Sequence, residues 1–99
     1  MDKDITYHPL FHCDVMEAAN WYDRRSAGLG DAFATNVKST VAEIIDDPDR
    51  FAATPMGLRY LRVERFPYLV LFDVTEEQVC FLGVLHTARS IEKWRDKRR

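Results

Sequence analysis

His86 and Arg89 stand three positions apart, where the apolar run of FLGVLHTARSIEKW gives way to a polar tail. An imidazole exchanges a proton near neutral pH, and a guanidinium offers paired donors in one plane to a phosphate or carboxylate. Together they would supply two of the functions that metal-free RNA cleavage needs: acid–base catalysis and stabilisation of the phosphate's added negative charge. The structural alternative is that His86 bonds a neighbouring backbone group or tyrosine at a sheet end, while Arg89 ties the chain to an acidic partner. Arg59, Arg62 and Arg65 are further candidates for binding a phosphate or a partner, and Trp94 and Arg95 join them as contact residues. Arg59, Arg62 and Arg65 recur every three residues, a spacing that alternates faces in a strand, so they form no single flat patch. Arg62 is expected on the face of Tyr60 and Glu64, with ion pairing to Glu64 or to the acidic first half as the plain reading.

No Ser-His-Asp set, metal-ligand spacing or phosphate-cradling glycine loop accompanies these residues, so no metal or other cofactor is expected. Cys13 and Cys80 lie in apolar stretches outside any Cys-x-x-Cys and read as two buried thiols rather than a disulfide. Gly28 and Gly30 in AGLGD fall between two helical patterns, which makes a turn and not an anion site.

The elements that position the candidates follow from periodicity. DITYHPLF alternates Ile5 and Tyr7 with polar residues, as a short strand does. Asp14 with Glu17 three positions later has the spacing of a capping box, predicting a helix over roughly 14–27 with Val15, Ala18, Ala19 and Tyr22 on its apolar stripe. Asp31 would cap a second helix carrying Phe33, Val37, Val41 and Ile44, ended by Pro48. The pair should form an antiparallel hairpin, with Trp21 and Trp94 as core or lid residues. GLRYLRVER, YLVLFDV and QVCFLGVLH then read as strands joined by short links, hence antiparallel. Strict alternation puts Val79, Phe81 and Leu85 on one face of the last strand and Cys80, Leu82, Val84 and His86 on the other. Ser90 opens a short C-terminal helix. The expected class is α+β: an N-terminal strand, a helix hairpin, a mainly antiparallel sheet of three further strands and a short helix, with helices over one face of the sheet.

Ninety-nine residues allow a single domain, 1–99. The composition, 46% hydrophobic and 30% charged, is that of a globular chain. No apolar stretch reaches the length of a membrane span, and the N-terminal residues lack a signal peptide's pattern, so a cytoplasmic location is expected. Residues 1–49 carry ten acidic and four basic side chains, and residues 50–99 carry ten basic and six acidic. The basic half implies a surface for a polyanion or an acidic partner, or else a solvated charged tail.

In order and spacing, AANWYDRRSAGLGDAF, DDPDRF, LRYLRVERFPYLVLFDV and VLHTARSIEKW resemble the RelE/ParE superfamily of bacterial type II toxin–antitoxin toxins. The Leu-His followed by an arginine leans the resemblance to the ParE-like, plasmid-stabilisation branch. It implies a growth-inhibiting toxin neutralised by a cognate antitoxin, acting on DNA gyrase without catalysis of its own. A RelE-like, ribosome-dependent mRNA endonuclease is the enzyme alternative, with His86 and Arg89 as catalytic residues; a non-toxic orphan binding module is the other. A homodimer or a toxin–antitoxin hetero-oligomer is the assembly implied. The sequence departs from the RelE pattern in placing Tyr68 or Leu69 at the middle-strand arginine position. It also lacks a catalytic tyrosine near the C terminus, where Trp94 stands.

Overall fold

A computed structural model describes residues 3–98. The chain runs β1 (Asp4–Tyr7), α1 (Phe11–Arg25), α2 (Leu29–Asp46), a 3-10 turn (Pro48–Arg50), β2 (Arg59–Arg62), β3 (Tyr68–Val74), β4 (Gln78–His86) and α3 (Ile91–Arg98). The element order is the one the sequence implies, but two features of the sheet differ. The strand order is β1-β4-β3-β2, and β1 lies parallel to β4, so the sheet is mixed. Parallel pairing needs a long crossover, which the helix hairpin and β2–β3 together provide. The helices also cover both faces. Phe33, Val37 and Ile44 of α2 pack with Val70, Phe72 and Phe81 on one side, whereas Trp94 of α3 packs with Leu58, Leu71 and Leu85 on the other. Strands covered on both faces are apolar on both faces, the pattern seen in YLVLFDV.

The helix starts are set by contacts that local motifs do not reveal. α1 begins at Phe11, three residues before the expected start, and Asp14 is not its cap. No side chain caps α1; His8 instead fixes the turn that enters it, its Nδ1 accepting the N–H of Leu10, the residue before the helix, at 3.0 Å. With Nδ1 accepting, Nε2 carries the ring proton and donates to the Arg98 carbonyl at 2.9 Å, tying α3 to the end of β1. Asp31 likewise lies inside α2, whose N-cap is Gly28 at φ 88°. The Gly30 N–H is satisfied from α1, by Asp23 Oδ1 at 2.7 Å. The helices approach closely at Gly30, where a Cβ would collide with the Ala19 carbonyl and the Asp23 carboxylate.

A β-bulge decides which way the end of β4 faces. Leu71 pairs with Gly83 but Phe72 pairs with Phe81, leaving Leu82 as the extra residue. The bulge reverses the side-chain phase. Val79 and Phe81 face the helix hairpin before it, Val84 does so after it, and Leu85 turns to α3. His86 therefore shares its face with Val84 and the hairpin, not with Cys80 and Leu82 as strict alternation predicts.

β1 covers β4 only from Gln78 to Phe81, so residues 82–86 have β3 on one side and no strand on the other. Side chains fill that gap. Asp14 Oδ2 accepts the Val84 N–H at 3.0 Å, Arg98 Nη1 donates to the Leu82 carbonyl at 3.4 Å, and Arg98 Nη2 pairs with Asp14 Oδ1 at 2.9 Å.

Candidate functional site: the groove at the end of β4

Beside this sealed edge, α1, the end of β4 and α3 enclose an open groove of about 790 Å³. Glu17, Trp21 and Tyr22 line it from α1, Tyr68 and His86 from the strand ends, Arg89 from the exit loop and Lys97 from α3. The His86 ring packs edge-on against Tyr68, with centroids 5.1 Å apart. Its Nδ1 accepts the Ala88 N–H at 3.0 Å and its carbonyl accepts the Arg89 N–H at 3.0 Å, which folds the exit loop back on the strand. The neutral ring thus carries its proton on Nε2.

Tyr68 and Tyr22 complete the cluster, their rings 6.1 Å apart. Burial holds the Tyr68 phenol above its ordinary pKa, and the Arg89 cation pulls it partly back. Burial also raises the Tyr22 phenol, and the negative charge Tyr68 would carry raises it further. Both phenols therefore stay protonated at neutral pH and can donate. At the rim, Trp21 is 41% exposed, and the Arg25 guanidinium lies 3.5 Å above its ring centroid.

The structure brings His86 and Arg89 together in the groove, with Trp94 also in its lining, and leaves Arg59, Arg62, Arg65 and Arg95 outside it. Arg59 Nη1 donates to the Asp49 and Phe51 carbonyls, each at 2.9 Å, so this arginine holds the loop after α2 and is not free for a partner. Arg62 is exposed on β2, at the sheet edge far from β1. Arg65 occupies the β2–β3 turn at φ 73°, with its guanidinium 5.5 Å from the Phe66 ring centroid. Trp94 is 8% exposed and packs over Gly83, a core residue rather than an exposed contact. Arg95 lies 3.8 Å from Asp96 and borders a separate cleft with Leu58 and Asp73. Trp21 is not core, and Cys13 is an exposed free thiol rather than a buried one, while Cys80 is half-buried.

Sequence reasoning missed Tyr22, Tyr68 and the Asp14–Arg98 pair. The two tyrosines fit apolar stripes and so read as core; only their convergence on the Leu-His-x-x-Arg exit could have marked them. Among the described residues, no His/Cys/Asp/Glu group is placed to hold a metal ion, and no helix is long and apolar enough to cross a membrane.

Residues 5–91 match the family described as the ParE toxin of the type II toxin–antitoxin system parDE. No curated protein matches the chain. Among solved structures it is similar to the chromosomal ParDE toxin–antitoxin system of P. aeruginosa, with TM-score 0.75 and 16% identity over 85% of this chain and 95% of that one. It is also similar to YafQ from E. coli, with TM-score 0.61 and 19% identity over 88% of this chain and 96% of that one. At such identities these structures establish the shared fold, which is the α+β fold described above. The match over residues 5–91 carries the assignment further: the chain belongs to the ParE toxin family of type II toxin–antitoxin systems.

Proposed function

We propose that this toxin inhibits growth by binding a protein target, DNA gyrase, and that a cognate antitoxin neutralises it. One observation carries the reading: the groove at the end of β4 has the chemistry of a protein-binding surface. Its rim presents an exposed tryptophan stacked under an arginine, the residue types that dominate protein–protein hot spots. Its buried carboxylate, Asp14, is poorly placed for proton abstraction, since it is committed to Val84 and Arg98. The phenols stay protonated, and His86 Nδ1 is occupied by backbone.

A second reading is favoured by the convergence of Tyr22, Tyr68, His86 and Arg89. A protonated phenol can serve as general acid and Arg89 as phosphate ligand, two of the functions that a ribosome-dependent mRNA endonuclease requires. Expression of Trp21→Ala and Tyr68→Phe variants without antitoxin separates the two. Under the gyrase reading, Trp21→Ala relieves growth arrest and Tyr68→Phe leaves it largely intact. Under the nuclease reading, Tyr68→Phe relieves it. A wild-type chain that causes no arrest contradicts both and leaves an orphan binding module.

A further inference from the structure

We infer that β1 is a self-pairing edge: two copies of this chain associate antiparallel through β1, with Thr6 on the twofold axis. The two edges of the sheet are treated differently. At the β2 edge, Arg59 and Arg62 stand on a four-residue strand, and a bridge from Ala53 to Arg59 covers one end. Charge, shortness and cover are the usual means of keeping an edge from pairing. β1 is equally short and carries one charge, Asp4, but among the described residues no bridge covers it. All four of its residues are exposed, including Ile5 at 36% and Tyr7 at 50%, and its outer side carries no strand.

The hydrogen-bonding phase makes this edge complementary to itself. The Asp4 N–H donates to the Glu77 carbonyl and the His8 N–H to the Phe81 carbonyl. The main-chain groups of even-numbered residues therefore point to β4, and those of Ile5 and Tyr7 point outward. In a twofold antiparallel pair centred on Thr6, Ile5 faces Tyr7 of the other copy, and each such pair exchanges two hydrogen bonds. The arrangement places a β-branched side chain beside an aromatic one twice, a favourable cross-strand combination. Asp4 then faces His8 of the other copy, next to the last turn of α3 with Lys97 and Arg98. Acid thus meets a basic helix end. Pro9 lacks an N–H and stops the ladder, limiting it to two outward residues per strand. So small an interface gives a weak dimer whose population depends on concentration.

Sedimentation equilibrium over about 5 µM to 1 mM tests this, as weak dimers populate in that range. The expected result is a reversible monomer–dimer equilibrium, with Ile5→Lys lowering dimer affinity about tenfold or more while circular dichroism is unchanged. Cross-linking tests the register in a Cys13→Ser, Cys80→Ser background. Thr6 meets its own copy at a non-hydrogen-bonded position, where Cα atoms lie about 4.5 Å apart, so Thr6→Cys forms a disulfide dimer on mild oxidation. Asp4→Cys does not, because it meets its own copy roughly four residues out of register, about 13 Å along the strand. A monomer at every concentration, or equal cross-linking from both cysteines, overturns the inference. Neither readout involves toxicity, so its failure is distinguishable from failure of the gyrase reading.

Discussion

Arg98 Nη2 sits 2.9 Å from Asp14 Oδ1, and the two side chains together occupy the position of the strand missing beside residues 82–86 of β4. The carboxylate accepts an N–H and the guanidinium donates to a C=O, as a neighbouring backbone would. Both side chains are largely buried, 11% and 15% exposed, so neither charge can be left alone cheaply. The pair joins α1 to α3 across the sheet edge and forms the floor of the groove.

Removing either partner leaves a buried charge without its counterion, which costs about 3 kcal/mol or more. Asp14→Ala should be the worse of the two, because the Val84 N–H also loses its acceptor, at about 1–3 kcal/mol. Urea denaturation of Asp14→Ala and Arg98→Ala measures this order. Equal and small losses would show that the pair is solvated and does not seal the edge.

The two glycines of the interhelical turn should respond differently to alanine. Gly28 has open space around its missing side chain but a left-handed φ of 88°, so Gly28→Ala costs about 1–2 kcal/mol. Gly30 abuts the Ala19 carbonyl and Asp23, so Gly30→Ala forces the helices apart and costs more, about 3 kcal/mol by analogy with overpacking. Thermal unfolding of both variants gives the ranking, and a milder effect at Gly30 would contradict the close crossing.

Much of this architecture was legible in the sequence. Helix and strand periodicity located the four strands and the helix hairpin, most plainly α2 and β3 with their unbroken apolar spacing, and Ser90 marked the start of α3. What local pattern could not show was partnership at a distance. Asp14 with Glu17 fits a capping box, yet the carboxylate is drawn to an N–H seventy residues away. One inserted residue at Leu82 turned His86 to the opposite face. Within the site, the Leu-His-x-x-Arg exit was visible from its residue types. Tyr22 and Tyr68 were hidden because an aromatic on an apolar stripe is indistinguishable from core until the fold sets its neighbours.

Alkaline pH should weaken the fold through those tyrosines. Both phenols have folded-state pKa values above those of the unfolded chain, so the folded state holds more protons as pH rises. Their contribution is fully present below the unfolded value, near about 10, and is lost as pH climbs through the folded values. Spectrophotometric titration checks the geometry as well. Arg89→Ala should raise the Tyr68 ionisation further, and Tyr68→Phe should lower that of Tyr22. A titration curve unchanged by Arg89→Ala would place that guanidinium away from Tyr68.

Truncating the rim should separate binding from stability. Trp21 is exposed and anchored mainly by Arg25 and Tyr22, so Trp21→Ala should change stability by about 1 kcal/mol or less. If it anchors a partner, the same change should weaken target binding by about 2 kcal/mol, or roughly thirtyfold. Paired measurement of unfolding and of gyrase affinity by calorimetry decides the point. An affinity unchanged by the substitution would remove Trp21 from the interface.

The most direct measurement is a DNA supercoiling and cleavage assay with purified gyrase, run beside mRNA cleavage on translating ribosomes. The account predicts that the wild-type protein inhibits supercoiling and traps cleaved DNA, that Trp21→Ala weakens both effects, and that ribosome-bound mRNA stays whole. Untouched gyrase together with mRNA cut on the ribosome, and cutting abolished by Tyr68→Phe, would contradict it.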